Sequence, residues 1–200
     1  IRGKPLTFSI ANLHSPQYDH LQLTPFYQLD ECRYIIYWRS ETSEAIENLR
    51  KKMASEQNNP QIIEKNTIDK VFTGEQQPES DHAIQFDQSQ MGVFKNRHWR
   101  NAKGWFSYKL KNKDKEGKIL RATYYGKESN RRFSIYVNNT RIAQEQLNGS
   151  KGDRFFTKNY KIPDSIVKQS DGTLKVKFEA AEGSETARIF EVRLMRRKSD

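Results

Sequence analysis

The chain has 200 residues, 34% hydrophobic and 12% aromatic, and its 35 basic against 25 acidic side chains give a formal charge of +10. No run approaches the roughly 18 consecutive apolar residues of a membrane helix, so no membrane insertion is expected. The single cysteine, Cys32, excludes an intrachain disulfide or a multi-thiolate zinc site built from this chain alone. Apolar content weighted towards Phe, Tyr and Trp suits pleated, half-buried surfaces and favours β structure, and the length fits two modest domains.

The start, Ile1-Arg2-Gly3-Lys4-Pro5, lacks Met and any secretory pattern, and reads as a cut in a longer polypeptide. Strand-like sequence follows at 6–10 and 21–39. In the latter, Phe26, Tyr34, Ile36 and Trp38 share one face while Tyr27, Ile35 and Tyr37 share the other, the pattern of a strand buried on both sides. Residues 1–40 are therefore expected to be the final strands of an upstream β-sandwich. Within 41–65, Ala45, Ile46, Leu49 and Met53 recur at helical spacing behind a Ser43 cap. The helix is expected to stop at Asn58-Asn59-Pro60 and give way to a linker.

Residues 66–200 repeat strand and turn signals, which predicts a C-terminal β-sandwich of jelly-roll or galactose-binding-like form. Alternation marks 105–111, 119–125 and 133–137. Asn138-Asn139 supplies a tight turn into 140–147, since Asn tolerates left-handed backbone. A strand at 155–162 closes at Pro163, Asp171-Gly172 turns into 174–180, and the last strand, 188–195, places Phe190, Val192 and Leu194 on one face. In Leu174-Lys175-Val176-Lys177-Phe178-Glu179 the lysines fall on the wet face.

The stretch Gly74-Glu75-Gln76-Gln77-Pro78-Glu79-Ser80-Asp81-His82, with Arg97-His98-Trp99-Arg100 and Gly104-Trp105-Phe106-Ser107-Tyr108, shows little alternation and crowds planar polar groups against aromatics. Glu75, Gln76, Glu79, Asp81, His82, Trp99, Arg100, Trp105 and Tyr108 are candidate carbohydrate-binding or interdomain residues. Carboxylates and amides bond vicinal hydroxyls while an aromatic face covers a sugar ring. The other reading, preferred of the two, is a polar network fastening a long loop to the sandwich, because buried polar groups need partners.

Glu75, Glu79 and Asp81 are present in the numbers a glycosidase pair needs, but no motif supports catalysis. His14, His20, His82 and His98 lack paired zinc spacing. No cofactor is expected; a structural calcium would draw on Glu79, Asp81 or Asp87. The basic residues mostly alternate with apolar ones or sit beside acids, so nucleic acid is an unlikely partner, though an anionic glycan is compatible with the charge.

Leu23-Thr24-Pro25-Phe26-Tyr27, Arg33-Tyr34-Ile35-Ile36-Tyr37-Trp38, the GEQQPESDH string, Trp99-Arg100 and Gly104-Trp105-Phe106-Ser107-Tyr108 together resemble the C-terminal region of proteins similar to glycoside hydrolase family 127, which includes β-L-arabinofuranosidases. Asp30-Glu31-Cys32 departs from the His-Asp pair often seen there. The resemblance implies an upstream catalytic (α/α) barrel in the same polypeptide, bearing the catalytic glutamate and a cysteine-rich zinc site. This chain would be a non-catalytic accessory region of a bacterial enzyme that is periplasmic, cell-surface or secreted, packing on that barrel and contacting an oligo- or polysaccharide. The alternatives are a self-contained carbohydrate-active enzyme and a basic nucleic-acid-binding module.

Overall fold

The structure, a computed structural model, describes residues 8–10, 21–23, 44, 47, 48 and 59–196. The chain divides into two compact units, 1–51 and 52–200. In the first, β1 (Phe8–Ile10) and β2 (Leu21–Leu23) pair antiparallel with Phe8 opposite Leu23. Glu44, Glu47 and Asn48 are helical and exposed, at positions inside the expected helix. Cys32 and the strand expected through residue 39 lie outside the described residues.

The second unit is a β-sandwich of two antiparallel sheets. Its described elements are α1 (Pro60–Asn66), β3 (Thr67–Phe72), α2 (Gln76–Asp81), β4 (Gln85–Phe94), β5 (Arg97–Lys111), β6 (Gly117–Tyr125), β7 (Arg131–Val137), β8 (Thr140–Leu147), β9 (Phe155–Lys161), α3 (Asp164–Gln169), β10 (Thr173–Ala180) and β11 (Glu191–Arg196). A five-stranded sheet runs β4-β5-β10-β7-β8 and a four-stranded sheet runs β3-β11-β6-β9.

Strand alternation decides which side chains enter the core. Phe106, Phe178 and Ile135 lie abreast on β5, β10 and β7 and are wholly buried, with the Phe106 and Phe178 rings stacked 5.2 Å apart. The other sheet contributes Val71, Val192 and Ala122 in one row and Leu194, Leu120 and Tyr160 in the next. Each such aliphatic or aromatic side chain contributes about 1.5–3 kcal/mol on burial. Two of the buried phenols, Tyr124 and Tyr160, hydrogen-bond each other with their hydroxyls 2.9 Å apart.

The turns follow their residue chemistry. Asn138 and Asn139 have φ of 45° and 67° and join β7 to β8, as the two-residue hairpin requires. Gly172 at φ 89° leads into β10. Buried Asn112 closes the β5–β6 connection by accepting from the Gly117 amide at 2.8 Å and donating to the Gly117 carbonyl at 3.1 Å.

Two expectations need correction. Where a linker was expected to run to residue 65, Asn59-Pro60 begins a helix: Asn59 caps α1 by accepting from the Gln61 amide, and Pro60 occupies the first turn, where its missing N–H costs nothing, while the expected end of the preceding helix lies outside the described residues. The stretch read as a long loop holds the helix α2, and Arg97 to Arg100, grouped with it, open the strand β5, with the ten-residue strand β4 between them. β4 escapes the alternation rule because it is an edge strand, largely exposed on both faces, with a register shift between Asp87 and Ser89 where Gln88 takes φ 47°. After Pro163 the chain forms α3, which buries Ile166 and Val167.

Candidate functional site

The GEQQPESDH stretch forms a turn and the short helix α2, and its geometry serves anchoring. Glu79 is 3% exposed and receives two bonds from Arg100, Nε to Oε1 and Nη2 to Oε2, each 2.6 Å. Oε1 also accepts from the Tyr108 hydroxyl at 2.7 Å and the Gly74 amide at 2.8 Å. The remaining Arg100 nitrogen donates to Ser89 Oγ at 2.9 Å, and the exposed Phe86 ring covers the guanidinium, its centroid 5.0 Å away.

Burial alone would push the Glu79 carboxyl up. The Arg100 guanidinium, the Gly74 amide and the Tyr108 hydroxyl more than offset it and hold the group below its ordinary 4.5. Burial, reinforced by the Glu79 charge, keeps the Tyr108 phenol far above its ordinary 10.0, so it remains a donor. A carboxylate held ionised and saturated with donors cannot act as a general acid.

His82 completes the anchor, with Nδ1 2.6 Å from the Pro78 carbonyl and Nε2 3.1 Å from Asp69 Oδ1 on β3. The Lys109 amide donates to the His82 carbonyl at 2.8 Å. Trp99 lies across β4, where a Cβ on the facing Gly92 would come within 2.7 Å of the indole, and the Arg188 guanidinium sits 5.7 Å from its ring.

The structure thus gathers Glu79, Arg100 and Tyr108 into one buried cluster, with His82 beside it and Trp99 wedged nearby. Glu75 precedes α2, while Gln76 and Asp81 point to solvent, Asp81 accepting from Gln77 Nε2 at 2.8 Å. The deeply buried Glu79, Arg100 and Tyr108 have no surface to offer a ligand. Their geometry matches the network reading of this stretch. Among the described residues no group of three or more His, Cys, Asp or Glu could hold a metal ion.

Trp105 stands apart. It precedes the buried Phe106 and so projects from the outer face of the five-stranded sheet, where it is half-exposed. Its row reads Asp87, Trp105, Glu179, Ser134, Gln144 across β4, β5, β10, β7 and β8. The next row reads Gln85, Ser107, Lys177, Tyr136, Arg141. Trp105 and Tyr136 are offset by two strands and two residues, about 12 Å at ordinary strand spacing. Lys175 Nζ lies 5.9 Å from the Trp105 ring centroid, and Lys177 Nζ lies 4.6 Å from that of Tyr136 and 2.8 Å from Glu179 Oε1. Half-exposed aromatics are set among amides, carboxylates and ammonium groups on an open face.

Sequence reasoning found Trp105 and put Lys175 and Lys177 on a wet face. It missed Tyr136 as their companion. The alternation of 133–137 already turned that ring away from Ile135, but nothing local placed β7 beside β10.

Residues 62–195 match the model of a family of unknown function, DUF6805. The chain belongs to that family. Residues 1–40 of this DUF6805 protein also match a domain of unknown function, DUF4986. No curated protein matches it significantly.

Among solved structures, the DUF6805 chain is similar to a family 35 carbohydrate binding module from an environmental isolate, at 17% identity over 58% of this chain and 89% of that one, with a TM-score of 0.46. A family 35 module from Clostridium thermocellum gives 11% identity, 60% and 95% coverage and a TM-score of 0.39. One from Paenibacillus barcinonensis gives 15%, 62% and 93%, and 0.39.

Proposed function

We propose that the second unit is a carbohydrate-binding module that lays a glycan across the open face of its five-stranded sheet. The observation that carries this reading is Trp105, a half-exposed indole on a sheet face flanked by Asp87, Glu179 and Lys175. An aromatic face covers the apolar side of a sugar ring, and the neighbouring polar groups bond its hydroxyls. Tyr136 supplies a second platform about 12 Å away, a spacing that suits an oligosaccharide better than a single sugar.

The wider reading is that this chain is an accessory, non-catalytic region of an exported bacterial glycoside hydrolase, packing on a catalytic barrel of the same polypeptide. It is supported by the resemblance of the GEQQPESDH string and its companion motifs to the C-terminal region of family 127-like proteins. It is supported further by the carboxylate set of 75–81, whose most buried member, Glu79, is committed to Arg100.

Calorimetric titration of the 200-residue chain with a panel of plant and host oligosaccharides tests the module. The expected result is saturable binding, lost in Trp105→Ala and weakened in Tyr136→Ala, with both variants folded. A wild-type chain that binds no glycan in the panel and hydrolyses none overturns it.

A further inference from the structure

The sheet face around Trp105 is strongly unbalanced in charge. Lys109 on β5 lies directly opposite Lys175 on β10, and both point outward, because their neighbours Tyr108, Leu110, Leu174 and Val176 fill the core. Like charges facing each other across two strands destabilise a sheet. Among the described residues neither lysine makes an ion pair, and the Lys175 ammonium donates to the neutral Gln85 Oε1 at 2.9 Å. Lys177 on β10 and Arg141 on β8 extend the basic strip across the sheet. Against these stand Asp87 and Glu179, the latter paired with Lys177.

The lysine pair borders a depression of about 440 Å³ lined by Asn138, Gln169, Ser170, Asp171 and Thr173 as well as Lys109 and Lys175. Asp171 is turned to its own loop, accepting from the Thr173 amide at 3.0 Å. Lys175 both lines this depression and carries its ammonium 5.9 Å from the Trp105 ring centroid. A ring stacked on Trp105 has its substituents within reach of that ammonium.

We infer that the glycan recognised by this face is acidic, a polysaccharide bearing carboxylate or sulfate groups, with Lys109 and Lys175 receiving an anionic substituent of a sugar stacked on Trp105. This inference rests on the carbohydrate-binding reading and narrows it to a substrate class. An anion between the two ammonium groups relieves their repulsion and gains charge-assisted hydrogen bonds, so the charge pattern that weakens the free sheet strengthens the complex.

The test is calorimetry of the full chain with an oligogalacturonide, a sulfated oligosaccharide and a neutral galactan oligosaccharide of matched length, at low salt and at about 0.5 M salt, where exposed charges are screened. Polyglutamate serves as a control for charge alone. The expected result is that one of the acidic sugars binds at least about tenfold more tightly than the neutral one, that salt weakens it, and that Lys109→Ala with Lys175→Ala removes this preference. Trp105→Ala should abolish binding of the same sugar, and polyglutamate should not compete.

Equal affinity for neutral and acidic sugars, unaffected by the lysine substitutions but lost in Trp105→Ala, overturns the acidic specificity and leaves the module standing. Competition by polyglutamate with indifference to Trp105→Ala overturns it in favour of a general polyanion surface. Failure of every sugar overturns both readings.

Discussion

The Glu79 carboxylate takes both the Nε and the Nη2 of Arg100 at 2.6 Å in a pair that is 3% and 5% exposed on its two sides. This contact fastens α2 to the first part of β5. It also explains why Glu79, inside the most densely polar stretch of the sequence, lies where no solute reaches it.

Removing one partner strands the other. Glu79→Ala leaves a buried guanidinium without its counter-charge and is expected to cost about 3–5 kcal/mol in chemical denaturation. Replacing Glu79 and Arg100 together by apolar residues of similar size should recover most of that loss. Equal stability of the single and double variants would show that the stranded guanidinium is not the source of the loss.

The pH dependence has two limbs with opposite signs. Hydrogen bonding to Asp69 raises His82 above its ordinary 6.5 against the opposing effect of burial, so its contribution is complete below 6.5 and is lost as pH rises through the folded value. Burial would raise Asp69, but His82 and the Lys111 amide hold it below its ordinary 3.8, as Arg100 holds Glu79 below 4.5; these contributions persist above those values and vanish as pH falls through the depressed ones. The melting temperature should therefore decline on both sides of the interval between 4.5 and 6.5. In His82→Gln the alkaline decline should shrink while the acid limb remains.

Gly74 adopts φ +76°, and a Cβ there would meet the Trp99 carbonyl oxygen at 2.5 Å. Gly74→Ala is expected to destabilise by about 1–3 kcal/mol, through left-handed backbone strain and collision with a neighbouring strand. Thermal unfolding followed by tryptophan fluorescence reads both the loss and any shift of Trp99.

Trp105 and Phe106 are adjacent in sequence and on opposite faces of one strand. Phe106→Ala should cost about 3–5 kcal/mol by opening a cavity against Phe178. Trp105→Ala should cost no more than about 1 kcal/mol while abolishing glycan binding. Equilibrium denaturation of the two variants separates a core position from a platform; a comparable loss in both would make Trp105 structural.

What the sequence determined by itself was what neighbouring residues decide alone. Period-two alternation marked 105–111, 119–125 and 133–137 as strands and, within 174–179, turned Lys175 and Lys177 outward, because the pleat fixes each side chain's face without reference to any other strand. Asn138-Asn139 announced its hairpin through the backbone freedom of Asn. Tertiary structure decided the rest. An edge strand has one partner and two wet faces, so β4 carries no sustained hydrophobic alternation and emerged only from its pairing with β5. Whether Glu79 met a sugar or Arg100, 21 positions later, depended on the helix lying against the sheet. That Trp105, Lys175 and Tyr136 share one face followed from the order β5-β10-β7, since cross-strand neighbours are set by topology, and no local pattern encodes it.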